Sequence, residues 1–255
     1  MRTVAPLFDL SGKTALVTGA SSGIGQSLAV ALAAAGADII AVSRSEPVET
    51  ATAVRAAGAR FAVIAADLSG AESIAQVIQA AYAQTPSIDI LINNAGIIRR
   101  NDALDFTAED WDAVMAVNLR SVFFLTQGIV RRQLQAGARV KVVNIASLLS
   151  FQGGIRVASY TASKSGLAGL TKLLANEWAA RGVNVNAIAP GYIETGNTEA
   201  LRQDAVRNRQ ILERIPAGRW GRPEDLAGAV VFLASAASDY VHGAVLPVDG
   251  GWLAR

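Results

Sequence analysis

The chain predicts a doubly wound α/β fold, a parallel sheet of about seven strands with helices on both faces. Three observations carry that expectation. Short Val/Ile-rich runs alternate with helix-length amphipathic segments along the whole sequence. The runs lack strict polar/apolar alternation, as strands covered on both faces do. The first run ends in the glycine-rich turn Gly19-Ala-Ser-Ser-Gly23-Ile-Gly25 and passes at once into a helical pattern.

The expected strands, in order, are Thr14–Thr18, Asp38–Ser43, Phe61–Ala66, Ile88–Asn93, Val140–Ile145, Asn184–Ile188 and Ala244–Val248. Between them, helices are expected over Gly23–Ala35, Val48–Ala57, Ala71–Gln84, Ala108–Gln135, Ser159–Arg181 and Pro223–Ala234. The Ala-rich run Ala29–Ala37 has helical period and reads as packed helix. Thr107-Ala-Glu-Asp110 and Pro223-Glu-Asp225 supply acidic first turns for two helices, where a carboxylate complements the helix dipole. Gly191–Ile215 is the least regular stretch, polar and charged around Glu194–Asn208, and is expected to be a mobile lid over a site. No Pro/Ser-rich linker, charge block or low-complexity tract divides residues 1–255, so one domain is expected.

Composition excludes several chemistries. The chain has no cysteine, hence no disulfide and no thiolate metal site, and its single histidine, His242, argues against a His-based metal centre or a Ser-His-Asp triad. No metal is expected, and His242 is read as a surface or interface residue. A net charge of +2 from scattered Lys and Arg gives no argument for nucleic acid. Apolar content of 51% raises the question of a membrane, but Gly36, Asp38 and the stretch Ser235–Asp239 interrupt the candidate apolar runs. Met1–Leu10 lacks the apolar centre of a signal peptide. The expectation is a cytoplasmic protein with no membrane partner.

The most informative spacing is Tyr160-Thr-Ala-Ser-Lys164. Residues i and i+4 of a helix share a face, so the phenol and the ammonium can share one site. A neighbouring cation favours the phenolate, and a tuned phenol can exchange a proton with an alcohol or carbonyl oxygen. The glycine turn, spaced Gly-x-x-x-Gly-x-Gly rather than Gly-x-Gly-x-x-Gly, would let the backbone approach a pyrophosphate at a helix N-terminus, as in Rossmann-like sheets. Asp67 either accepts from an adenine amino group or caps the next helix. At the end of the second strand, Arg44 suits the 2′-phosphate of NADP, whereas Glu46 stands about where a ribose-binding carboxylate is expected for NAD.

Together the motifs resemble the short-chain dehydrogenase/reductase family over essentially the whole chain. They are Thr18–Gly25, Asp67, Asn93-Asn94-Ala95-Gly96, Asn118, Ser147, Tyr160-x-x-x-Lys164 and Pro190-Gly191. The resemblance implies that Tyr160 is the acid/base and that Lys164 lowers its pKa and holds the nicotinamide ribose. It further implies that Ser147 hydrogen-bonds the reacting oxygen and Asn118 anchors a water in a proton relay. It implies NAD or NADP as cofactor, contacted by Gly19, Ser21, Ser22, Gly23, Ile24, Gly25, Ser43, Arg44, Asp67, Leu68, Asn94, Ala95, Gly96, Tyr160, Lys164, Pro190, Gly191, Ile193 and Thr195.

Within that family, six stretches resemble the dehydrogenases that act on sugar acids from pectin and uronate breakdown. These are 95–100, 147–156, 175–178, 189–192 with 197–198, 215–221 and the ending 248–255. That group is usually linked to NAD, from which Arg44 departs. A small-molecule sugar acid needs a carboxylate partner. Arg99, Arg100 and Arg156 are the candidates, Arg156 first, with Gln152 and Asn197 for hydroxyl contacts beside Ser147 and Tyr160. Trp252, Leu253 and Arg255 suggest a buried subunit contact, in keeping with the homotetramers usual in the family. The competing expectations are a gluconate 5-dehydrogenase, a 3-oxoacyl thioester reductase of the same fold, and a non-catalytic dinucleotide-binding sensor.

Overall fold

A computed structural model describes residues 4–255, so the first three residues of the Met1–Leu10 segment lie outside the described part. Seven strands form one sheet: β1 (Thr14–Thr18), β2 (Asp38–Ser43), β3 (Phe61–Ala65), β4 (Ile90–Asn93), β5 (Val140–Ile145), β6 (Val183–Pro190) and β7 (Val245–Val248). Their spatial order is β3-β2-β1-β4-β5-β6-β7, and every neighbouring pair is parallel. The helices are α1 (Gly23–Ala34), α2 (Val48–Ala56), α3 (Ala71–Gln84), α4 (Ala108–Met115), α5 (Ser121–Gln135), α6 (Ala158–Trp178), α7 (Glu199–Gln203), α8 (Ala205–Leu212) and α9 (Ala227–Ala234).

Strand alternation divides the apolar residues between two cores. Ala15, Val17, Ile39 and Ala41 pack with Leu28 and Leu32 of α1 and Val230 and Leu233 of α9. Leu16, Ile40 and Val42 pack on the opposite face with Val77 of α3, Ile129 of α5 and Leu174 of α6. Two buried layers explain why the strands read as nearly continuous apolar runs; β3 and β7, at the edges, are the most exposed.

Two expected elements differ in detail. Ala108–Gln135 is not one regular helix. Thr107 caps α4 by accepting from the Asp110 amide at 3.2 Å, but residues Ala116–Arg120 form a π-helical segment before α5 begins. The widened turn brings Asn118 into bonding distance of the loop after β4. The whole 108–135 segment is long and apolar enough to cross a membrane, yet half of its most apolar window is buried against the rest of the fold. The stretch 191–215, expected to be irregular, contains α7 and α8. Asp204 starts α8 by accepting from the Val206 and Arg207 amides, at 3.0 Å each.

Candidate active site

The site grows from the junction of β1 and β4, where successive connections leave on opposite sides of the sheet and open a crevice. Thr18 ends β1. Its Oγ1 donates to the Ile92 carbonyl at 3.2 Å and accepts from the amides of Asn94 and Ala95, both at 3.0 Å. Asn94 Nδ2 donates back to the carbonyls of Thr18 and Gly19, each at 3.0 Å. These bonds lock the two turns together. A Cβ on Gly25 would collide with the Gly19 carbonyl oxygen, and Gly19 sits at φ +67°, so side chains are excluded from both positions. The buried Thr50 hydroxyl donates to Ala20 O at 2.7 Å and ties α2 to the same turn.

The turn opens into a cleft of about 450 Å³ running past the carboxyl ends of the strands. Its wall contains every cofactor-contact candidate: Gly19 and Ser21–Gly25, Ser43 and Arg44, Asp67 and Leu68, Asn94–Gly96, Tyr160 and Lys164, and Pro190, Gly191, Ile193 and Thr195. This fits a dinucleotide, because the glycine cradle leaves the amides at the start of α1 open to a pyrophosphate. Gly191 also has no room for a side chain: its Cβ would stand 2.6 Å from Asp249 Cα. Thr195 approaches Gly23 from the far wall, at 3.5 Å from the Cβ that Gly23 lacks.

At the adenosine end, Arg44 and Ser45 face the cleft, whereas Glu46 is not part of its wall. Asp67 accepts from the Ser69 amide at 2.9 Å, and this bond, with the charge of Arg44 behind it, holds its carboxyl below the usual range. The helix-cap alternative fails, because α3 starts after Gly70 with no side-chain cap.

At the other end, α6 carries Tyr160 and Lys164 on one face, with Lys164 Nζ 5.6 Å from the centre of the Tyr160 ring. Lys164 is buried and donates to the Ile145 carbonyl at 2.6 Å. Ser147 starts the turn after β5 and accepts from the Leu149 amide at 3.2 Å. Ser150 Oγ donates to Lys164 O (2.7 Å) and Ser165 Oγ to Leu149 O (2.9 Å), so this turn is pinned to α6. Ser147, Tyr160 and Lys164 thereby share the cleft with the glycine turn.

The expectation that Lys164 lowers the Tyr160 pKa needs correction for the chain alone. Burial pushes the Tyr160 phenol up, opposed by a hydrogen bond with Ser147 and by the charge of Arg100. Burial also pulls the Lys164 amine down to about 8. Desolvation penalises both charged forms and is the largest influence on each. Asn118 lies outside the cleft wall, fully buried. Its side chain accepts from the Ile97 amide (2.8 Å) and donates to the Ile97 carbonyl (2.9 Å) and to Ser163 Oγ (3.3 Å). It clamps the loop after β4 onto α6.

The substrate candidates separate. Asn197 lines the cleft, and Arg100 donates to the Asn197 carbonyl at 3.0 Å while acting on Tyr160. Arg99 pairs with Asp110 at 3.1 Å. Arg156, the first choice from sequence, is not part of the cleft wall. It is a non-glycine residue at φ +62°, and its guanidinium stands 4.0 Å from Asp102. Gln152 is also off the wall, accepting from Arg214 and Trp252. Trp252 is buried within the chain itself, among Leu148, Ile211, Ile215 and Trp220, so its size is no argument for a subunit contact. His242 is half-buried beside Asn184, 3.4 Å from Nδ2. Val42, Ser45, Ala66, Val117 and Thr198 line the cleft without having been expected there. Ser45 and Ala66 had a usable signal, each lying next to a predicted contact at a strand end. Val117 had none, since only the π-helical turn brings it inward.

A family model described as enoyl-(acyl carrier protein) reductase matches residues 19–253. The 2-dehydro-3-deoxy-D-gluconate 5-dehydrogenase of Dickeya dadantii is 56% identical over 248 residues, covering 97% of this chain and 98% of that one. A solved chain from Agrobacterium tumefaciens, with bound NADP and named for 2-deoxy-D-gluconate 3-dehydrogenase, is 61% identical with a TM-score of 0.91, covering 98% and 99% of the two chains. The gluconate 5-dehydrogenase of Burkholderia cenocepacia, solved with NADP and tartrate, is 40% identical with a TM-score of 0.94, covering 99% and 100%.

Proposed function

Because the chain belongs to the short-chain dehydrogenase/reductase family, we propose that it acts on a sugar acid as a 2-dehydro-3-deoxy-D-gluconate 5-dehydrogenase. It is an oxidoreductase of the CH–OH group that uses a nicotinamide cofactor. The observation that carries the substrate reading is 56% identity across nearly the whole of a relative of that activity.

When bound, the nicotinamide ring supplies or accepts the hydride. In the oxidation direction Tyr160 takes the proton of the substrate hydroxyl; in reduction it returns one to the carbonyl oxygen. Ser147 holds that oxygen by hydrogen bond and steadies the charge that develops on it. Lys164, protonated below about pH 8, places a cation by the phenol and holds the ribose hydroxyls. Asn118 positions the loop through Ile97 and anchors a water that relays protons from Lys164. Arg100 binds the carboxylate, supported by its reach toward both Tyr160 and Asn197. Arg156, off the cleft wall and facing Asp102, is given no part in substrate binding.

For the cofactor we favour NADP over NAD, supported by Arg44 and Ser45 on the cleft wall and Glu46 off it. Residues 191–215 act as the substrate lid of the single domain. The protein is cytoplasmic and assembles as a homotetramer. Assembly is supported by the apolar groove of Met115, Leu119, Phe123, Leu170 and Leu173, with Leu173 half exposed.

Initial rates with 2-dehydro-3-deoxygluconate, gluconate, 5-ketogluconate and a 3-oxoacyl thioester, each with both cofactors, test the reading. The highest kcat/KM is expected for 2-dehydro-3-deoxygluconate; a preference for the thioester refutes it. Tyr160→Phe is expected to lower kcat by about 100-fold or more with cofactor binding retained.

A further inference from the structure

Gln152 is set aside by the geometry from the substrate contacts and given another task. We propose that it is a positioning residue, latching the segment 196–215 to the serine-bearing turn through the C-terminal Trp252.

The Gln152 amide oxygen has two lone pairs and meets two donors from distant parts of the chain. These are the Arg214 guanidinium and the Trp252 indole N–H, each at 3.3 Å. Arg214 stacks on the Trp252 ring, 4.0 Å from its centre, and the other ring contact of Trp252 is Tyr192 at 4.7 Å. Tyr192 meets Trp220 edge to face at 5.5 Å, and Trp220 Nε1 donates to Asn208 of α8 at 2.7 Å. The C-terminal turn is itself preformed: Asp249 accepts from the amides of Gly251 and Leu253, both at 2.9 Å. It grips the end of the segment twice more, through Ala217 N to Gly250 O at 3.0 Å and Arg255 to Glu213 O at 2.5 Å.

On its other side Gln152 belongs to the turn that presents Ser147, its amide donating to Leu148 O at 3.1 Å. One side-chain oxygen thus joins Ser147's turn, the turn that follows the lid's last helix and the chain terminus. Asn197 and Thr198, at the start of the segment, line the cleft beside the catalytic groups. Loosening the latch therefore lets the segment rise from the substrate end while the glycine turn stays as it is.

The kinetic arm of the test rests on the sugar-acid reading; a second arm does not. Gln152→Met removes the acceptor at similar volume, and Gln152→Glu keeps an acceptor for both donors. With 2-dehydro-3-deoxygluconate, Gln152→Met should raise the sugar-acid KM about five- to tenfold at nearly constant cofactor KM, and Gln152→Glu should stay within about twofold of the parent. Limited trypsin digestion should cleave after Arg207, Arg209 and Arg214 faster in Gln152→Met, by about the same factor, and at the parental rate in Gln152→Glu. A glutamate variant impaired as much as the methionine one overturns the proposal, because a carboxylate facing the substrate carboxylate would repel it. Parental KM and parental cleavage in Gln152→Met overturn it as well. If the parent turns over no sugar acid, the function reading fails and the digestion arm alone decides the latch.

Discussion

Burial acts on Tyr160 and Lys164 in opposite directions on the pH scale, and the lysine carries a measurable consequence. Its folded pKa of about 8 lies below the ordinary 10.5. Between those values the unfolded chain binds the extra proton, so stability rises with pH across that window and the deficit is fully present below about 8. The deficit is on the order of 3 kcal/mol. Urea midpoints of the parent, compared with Lys164→Met, should therefore climb from about pH 8 to 10.5; a flat difference contradicts a desolvated ammonium. Arg44 carries the second residue-scale prediction. Arg44→Ser should raise the KM for NADP roughly ten- to hundredfold and leave that for NAD nearly unchanged, as expected for loss of a charge-assisted phosphate contact. Equal effects on both cofactors would return NAD to favour. Lys164 and Arg44 were legible as candidates from spacing and residue type, whereas the sign of the Tyr160 shift was not, because depth of burial is a property of the folded chain.

At the scale of elements, the strand–turn–helix of β1 and α1 works because two backbone positions exclude side chains. Gly25→Ala drives a methyl into the Gly19 carbonyl and Asn94 side chain, which hold the turn after β4. Overpacking of this kind costs about 1–3 kcal/mol or more. The expected result is a cofactor Kd raised at least about tenfold, read by fluorescence titration; unaltered binding would mean that the cradle relaxes at no cost. The π-helical turn at Ala116–Arg120 is the opposite case. It is a departure from regularity that places Asn118 across from Ile97, and π-turns of this sort occur at functional sites. An amphipathic pattern running without a break from Ala108 to Gln135 carries no mark of it.

Across the whole molecule, two apolar cores cover the faces of the sheet, and the cleft lies at the carboxyl ends of its strands. The apolar groove between α4–α5 and α6 shares no lining residue with it. Leu173→Glu puts a charge into that groove beside Leu170 and Phe123. If the tetramer is built through this face, sedimentation velocity should show smaller species with near-parental melting of the single chain. A variant that sediments as the parent does moves the interface elsewhere.

Read alone, the sequence settled the sheet and the order of its strands along the chain, and it named much of the cleft wall. These follow from periodicity, from glycines that bare the backbone and from an i, i+4 pair, all local or additive properties. What tertiary structure decided was which neighbours each of several chemically equivalent side chains meets. Arg100 turns to the Asn197 carbonyl and Arg156 to Asp102, Gln152 meets Arg214 and Trp252, and Trp252 fills a core of its own chain. A guanidinium or an indole has the same composition wherever it points. Its direction is set by packing partners about 60 to 100 residues away, and no local window contains them.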